Sequence, residues 1–201
     1  MQLTQFERAC AAVIAIAALG AQVIQTGLDL SDGMGLLESL WRQARYFTVL
    51  MVVTTGVTFA AMALRNAHRS AGWMTAVTSW IVMVGIVYHA LLAADHNPTG
   101  IRAVINEIQH TAVPIATLVF WAMFSPKAGL SFKAPLVWVA CPLGYSVYAM
   151  IRGLFDGKFP YFFLNPETTG WLGVLAYMVG LGALFYVAGA LMVLASRRAA
   201  R

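Results

Sequence analysis

The chain has 201 residues, of which 60% are hydrophobic and only 10% are charged. A soluble domain carries about 25% charged residues, so this composition excludes an ordinary soluble enzyme and indicates a protein embedded in lipid. The net charge of +5 is not gathered into a basic patch with interleaved aromatic side chains, so we expect no nucleic-acid partner.

The apolar residues fall into six blocks, each close to the roughly 20 residues that a helix needs to cross a bilayer. The first block is longer than the apolar core of a signal peptide, so we expect it to be a retained helix. These blocks predict an all-α integral membrane protein in which residues 1–201 form a single domain, with six transmembrane helices in one bundle. The predicted spans are 8–28, 41–64, 73–94, 108–124, 135–151 and 170–195.

The basic residues predict the orientation of these spans. Six spans put both termini on one side of the membrane, and eight of the thirteen Lys and Arg residues fall on that side. Because short cytoplasmic loops carry an excess of positive charge, we expect both termini to be cytoplasmic.

One stretch, residues 106–114, combines two titratable side chains with a proline at the start of the fourth span. Glu107 and His110 are three residues apart, which places them on the same face of a helix. Pro114 has no N–H to give to the His110 carbonyl, so we expect the helix to kink at that turn. Ionisable groups in membrane spans are functional candidates by default. A histidine that faces lipid headgroups is the alternative interpretation of this stretch.

Thr48 and His110 are predicted to lie at the same depth in the outer leaflet. Each follows the last charged residue at the outer end of its span by three residues, or about 4.5 Å of helix rise. A hydroxyl and an imidazole at one depth can form a nucleophile and base pair if the helices adjoin. The alternative, a hydroxyl that bonds to its own helix backbone, is favoured for the deeper threonines, Thr54, Thr55 and Thr58.

His89, late in the third span, is the rival histidine. Nitrogen and oxygen ligands for a metal are also present nearby, but no tight ligand spacing supports a site, so we expect neither a metal nor another cofactor. Those residues are His89, Asp95, His96, Glu107 and His110. A small transporter or proton relay that uses His89, His110 and Glu107 remains an alternative function, as does a lipid-binding protein without turnover.

Three motifs occur in the order and spacing of a known family. They are Arg45–Leu50, His110–Pro114, and the run from Gly144 through Arg152 to Phe159–Asn165. Together they resemble the androgen-induced protein family of transmembrane hydrolases, especially its compact bacterial six-span branch. The resemblance covers spans two to six. The chain departs from the family at Phe162, where a second proline is frequent, and at Asn165, where an acid is usual.

The resemblance implies a membrane-embedded hydrolase with a threonine nucleophile and an essential histidine, which correspond to Thr48 and His110. Animal members of the family cleave esters between a fatty acid and a hydroxy fatty acid. The expected partners are therefore a lipid or fatty-acyl ester substrate and the surrounding membrane lipids. The bacterial branch implies the bacterial inner membrane, with the site toward the outer leaflet.

Further residues are candidates for supporting roles in such a reaction. Glu107 is placed to orient His110, and His89 is the alternative base. Arg45 or Arg152 is suited to a substrate carboxylate, although anchoring to lipid headgroups is an equal alternative for both. The side chains chemically able to donate to an oxyanion are Tyr161, Asn165, Trp41 and Tyr88.

Overall fold

The computed structural model describes residues 2–199, except for the side chain of Asp95. The described part of the chain is all-helical, with 82% helix and no strands, which confirms the predicted class. Five helices within it are long and apolar enough to cross a membrane, and they match predicted spans one, two, three, five and six. These helices are Gln5–Ser31, Phe47–Arg65, Ala71–Leu92, Ala134–Asp156 and Pro166–Ala199.

The chain forms two compact units, Met1–Ala128 and Gly129–Arg201, and the assignment of a single domain stays a prediction. The first unit contains α1 Gln5–Ser31, α2 Leu36–Gln43, α3 Phe47–Arg65, α4 Ala71–Val87, α5 Ile101–Glu107 and α6 Val113–Phe124. Two π-helical turns, Tyr88–Leu92 and Ile108–Ala112, extend α4 and join α5 to α6, and Ala93–Asp95 is a 3-10 turn. The second unit contains α7 Ala134–Trp138, α8 Ala140–Asp156, the 3-10 turn Phe162–Leu164 and α9 Pro166–Ala199.

The core of the first unit is built on close approach between α1 and α3 and between α4 and α6. Gly56 in α3 lies so near α1 that a Cβ on it would stand 2.7 Å from Cγ of Leu19. Phe59 and Phe120 meet edge to face, with ring centroids 4.9 Å apart, and both are fully buried. This packing fixes the positions of α3, which carries Thr48, and of α6, which follows the π-helical turn that carries His110.

The predicted second span, 41–64, is wrong at its beginning. Residues 36–43 form the separate helix α2, and α3 begins only at Phe47. Tyr46 between them has extended backbone angles, φ −98° and ψ 130°, so the two helices are not continuous. α2 is held against α1 by hydrogen bonds from Ser39 and Gln43 to Asp29, so it does not continue the axis of α3.

The predicted fourth span, 108–124, is divided between a π-helical turn and α6. With 12 residues, α6 is about 18 Å long, which is less than a ~30 Å hydrocarbon core requires. Residues 101–107, expected in a loop, form the helix α5 that leads into the π-helical turn. Five helices in the described residues therefore have the length and hydrophobicity to cross a membrane, and an arrangement of six crossings stays a proposal.

The second unit is held together by the packing of α7 and α8 on α9. A Cβ on Gly189 would stand 3.1 Å from Pro135 in α7, and one on Gly182 would stand 3.4 Å from Leu143 in α8. Gly170 interrupts α9 near its start with φ 67° and ψ 162°, a conformation that glycine adopts without a Cβ penalty.

Candidate functional site

Thr48 lies in the first turn of α3 and is 9% exposed. Tyr46 caps this helix, since its carbonyl accepts the N–H of Leu50. The first N–H groups of an α-helix have no carbonyl one turn earlier, and Thr48 and Val49 belong to that first turn. Thr48 therefore belongs to the positive end of the α3 helix.

His110 lies in the π-helical turn Ile108–Ala112, where the N–H of Val113 bonds to the carbonyl of Ile108. The helix thus departs from α geometry at the turn where Pro114 removes the usual donor to the His110 carbonyl. That carbonyl oxygen faces α4, because a Cβ built on Gly85 would stand only 2.7 Å from it. Glycine at position 85 is what allows the two helices to approach at the histidine.

The two predicted catalytic side chains are in contact. Oγ1 of Thr48 is 3.3 Å from Nε2 of His110, and Nδ1 of His110 is 3.0 Å from the carbonyl oxygen of Asn106. A carbonyl oxygen only accepts, so the hydrogen-bond network assigns the proton to Nδ1 in neutral His110. Nε2 is then an acceptor for the Thr48 O–H, which is the arrangement of a nucleophile and its general base.

Tyr88 and Asn106 hold the imidazole ring of His110. The Tyr88 ring stacks on it with centroids 3.8 Å apart and an angle of 19° between the planes. Nδ2 of Asn106 donates to the Tyr88 hydroxyl at 2.8 Å, so one asparagine orients both rings. The sequence analysis named Tyr88 only as a possible oxyanion donor and did not name Asn106 as a site residue. The position of Asn106, one helical turn before His110, was the feature that could have indicated its role.

Glu107 and His89 are brought together by Thr111. The Thr111 hydroxyl donates to the Glu107 carboxylate at 2.8 Å, and Nε2 of His89 is 3.0 Å from Thr111 Oγ1. Nδ1 of His110 bonds to the Asn106 carbonyl, and the support of His110 by Glu107 stays a prediction. Glu107 and His89 are two titratable groups joined through the Thr111 hydroxyl, and Thr111 is the residue after His110.

Arg45 is buried in the first unit, in the connection between α2 and α3 that leads to Thr48. A buried guanidinium is rare in proteins unless it is paired, so this position does not fit a solvated anchor. The interpretation of Arg45 as a headgroup anchor is therefore less favourable than the sequence indicated.

Three other candidates belong to the second unit. Arg152 is buried in α8, and its Nη1 donates to the Tyr148 hydroxyl at 2.9 Å. The ring of Tyr161 stacks on Phe163 with centroids 5.0 Å apart. Oδ1 of Asn165 accepts the N–H of Glu167 at 2.9 Å, so this side chain stabilises the start of α9.

A buried polar network that the sequence analysis missed surrounds Asp29. This residue follows the predicted first span, 8–28, yet it lies within α1 with 0% exposure. Its carboxylate accepts from Ser39 Oγ at 2.6 Å, from Gln43 Nε2 at 2.9 Å and from Gln25 Nε2 at 2.9 Å. Arg42 and Arg102 form ion pairs with it. The charge is therefore fully compensated, as a buried carboxylate requires.

The network extends from Asp29 to the residue beside His110. Gln22 donates to Oε1 of Gln43, and Nε2 of Gln109 donates to Oε1 of Gln22 at 2.8 Å. These amides connect α1, α2 and the π-helical turn that carries the histidine. The sequence feature that could have indicated this network is the spacing of polar residues in α1. Gln22, Gln25 and Asp29 recur every three or four residues, which places them on one face of the helix.

Comparisons of this chain with protein-family models, with curated protein sequences and with solved structures each give no match.

Proposed function

We propose that this protein is a membrane-embedded hydrolase of lipid esters, with Thr48 as nucleophile and His110 as base. The observation that carries the proposal is the 3.3 Å contact between Thr48 Oγ1 and a histidine nitrogen left free to accept by the bond to Asn106. The motif resemblance to the androgen-induced protein family supports the same two residues. The partial burial of this contact supports it too, because electrostatic interactions strengthen as water is excluded.

In the proposed mechanism, Thr48 Oγ1 attacks the ester carbonyl carbon while its proton passes to His110 Nε2. The oxyanion forms at the N-terminal end of α3, where the first-turn amides favour negative charge. When the carbon–oxygen bond to the alcohol breaks, His110 gives its proton to the leaving oxygen. A water molecule then attacks the acyl-threonine while its proton passes to His110. When the carbon–oxygen bond to Thr48 breaks, His110 returns this proton to Thr48 Oγ1 and the fatty acid is released.

The proposed substrate class is a fatty-acyl ester, including esters between a fatty acid and a hydroxy fatty acid. Such a substrate partitions into the bilayer and reaches the site from lipid. A terminal carboxylate on the hydroxy acid would suit a guanidinium, and Arg45, which is buried in the connection that leads to Thr48, is the candidate for that role in the first unit.

The proposed location is the bacterial inner membrane, with six crossings, cytoplasmic termini and the site toward the outer leaflet. We expect a C-terminal reporter that is active only in the cytoplasm to give signal, because the excess of basic residues favours that side. The same reporter inserted at Asn97, between α4 and α5, should give none. An active reporter at Asn97 and a silent one at the C-terminus would reverse the orientation and move the site to the cytoplasmic leaflet.

A proton relay is the second candidate function, and the chain His89–Thr111–Glu107 is the observation that favours it. A relay needs the titratable groups and has no use for the Thr48 hydroxyl as a nucleophile. The discriminating experiment treats the protein in nanodiscs with a fluorophosphonate that mimics a lipid ester and locates the adduct by mass spectrometry. An adduct on Thr48 supports the hydrolase, whereas an unlabelled protein favours the relay.

Tyr88 variants test whether the stacked ring positions His110. Tyr88→Phe keeps the stack and removes the hydroxyl, so we expect it to slow labelling less than Tyr88→Leu, which also removes an aromatic contact of about 0.5–1.5 kcal/mol. The ¹⁵N shifts of His110 should report more of the Nε2–H tautomer in Tyr88→Leu than in Tyr88→Phe. Equal tautomer populations and equal labelling in the two variants would remove the positioning role.

A further inference from the structure

The helix α2 divides its surface into three sectors. At 100° per residue, its apolar side chains occupy one continuous arc of the helix. All of them are exposed in the structure, and Leu37, the most exposed, has 82% of its surface accessible. They are Leu36, Leu37, Leu40 and Trp41. An exposed apolar arc of this kind on so short a helix requires a partner that accepts hydrocarbon.

The other two sectors of α2 are polar and differ in what they face. Ser39 and Gln43 are buried and bond to Asp29 and Thr26 of α1. Glu38 and Arg42 lie between this buried face and the apolar arc. The polarity is therefore inverted relative to a helix on a soluble core, since the polar face packs on protein and the apolar face is left outside.

The position of α2 in the chain restricts what can cover the apolar arc. It connects α1 to α3, both of which are long and apolar enough to cross a membrane. Its eight residues span about 12 Å, too little to cross a bilayer itself. It therefore lies at the membrane face where α1 ends and α3 begins.

We propose that α2 is an interfacial helix that lies in the plane of the membrane, with its apolar arc in the acyl chains of neighbouring lipids. Each sector then faces a different environment. The apolar arc faces hydrocarbon, Glu38 and Arg42 face water, and Ser39 and Gln43 face protein. A tryptophan in the last turn fits this depth, because Trp is enriched at membrane–water interfaces. Thr48 follows the end of α2 by five residues, so α2 sets the bilayer surface next to the candidate site.

The test is a depth measurement by electron paramagnetic resonance in phosphatidylcholine vesicles. The background is the full chain with Cys10→Ala and Cys141→Ala, and a nitroxide is attached at Leu37→Cys, at Leu40→Cys or, as the matched control, at Glu38→Cys. Collisions with oxygen report hydrocarbon, and collisions with a water-soluble nickel chelate report water. We expect the labels at 37 and 40 to favour oxygen and the label at 38 to favour nickel.

The outcomes separate the possible coverings of the arc. Nickel access at 37 equal to that at 38 would place the arc in water and overturn the proposal. Shielding of 37 and 40 from both reagents would show a covering protein and also overturn it. Because Leu37 is largely exposed and the second label at Leu40 is independent, a folding defect in one labelled variant leaves the comparison intact. The measurement needs no enzymatic activity, so its failure is distinct from failure of the proposed hydrolase.

Discussion

Replacing Thr48 by alanine should abolish both lipid-ester hydrolysis and covalent labelling, because it removes the only hydroxyl that we assign as nucleophile. Thr48→Ser should retain part of the activity, since it keeps the oxygen 3.3 Å from Nε2 of His110 and loses only a methyl group. His110→Ala should lower the rate by about 10²- to 10⁴-fold, the usual contribution of a general base. Hydrolysis of a fatty-acyl ester in nanodiscs measures all three variants.

The matched control for these variants lies two turns further along the same helix. The hydroxyl of Thr54 donates to the carbonyl of Leu50 at 2.7 Å, which is the bond to its own backbone that the sequence favoured. Thr54→Ala should therefore leave hydrolysis unchanged, and His89→Ala should have much less effect than His110→Ala. Full turnover in Thr48→Ala would refute the hydrolase mechanism and leave the relay as the better proposal.

Gly85→Ala should inactivate the protein although residue 85 contacts no substrate. The added Cβ would stand 2.7 Å from the carbonyl oxygen of His110 and 3.4 Å from Cβ of Pro114. A backbone oxygen cannot rotate away as a flexible side chain can, so α4 and the π-helical turn must separate. A displacement of about 1 Å at a reacting group can lower a rate by ~10²-fold, and such overpacking costs about 1–3 kcal/mol of stability.

Gly72→Ala is the control for this substitution, since it lies in the same helix and a Cβ there meets nothing within 4 Å. It should leave the labelling rate unchanged and raise helix stability slightly. Labelling with the fluorophosphonate and thermal unfolding in detergent measure the two variants side by side. Wild-type labelling in Gly85→Ala would show that the approach of α4 does not fix His110.

The sequence was sufficient for the features that depend on local pattern. Apolar length predicted five helices that the structure contains with the length and hydrophobicity to cross a membrane, because each is a local property of about 20 residues. The spacing from the last charge predicted that Thr48 and His110 lie at one depth; their side chains are 3.3 Å apart, and their depth in the membrane stays a prediction. Pro114 predicted a kink, and the structure has the π-helical turn Ile108–Ala112 at that place, because proline has no N–H to donate.

The features that the sequence did not predict depend on contacts distant in the chain. Asp29 was expected in a loop because charge is normally solvated, yet Ser39, Gln43 and Arg42 compensate it within the protein. The break at Tyr46 follows from those same contacts. Asn106 orients His110 through its backbone carbonyl. Because every residue has this group, the residue type at position 106 does not predict the bond.

The two π-helical turns, Tyr88–Leu92 and Ile108–Ala112, each hold one residue more than an α-helix would use over the same rise. One residue fewer in either segment would restore α register and rotate the flanking helix by about 100°. Tyr88 would then no longer lie over His110. The lengths of these two segments therefore matter for the stacked pair as much as the identities of their residues. A related chain that is one residue shorter in either segment would still align over its spans and its histidine, yet it would lose the stacked pair.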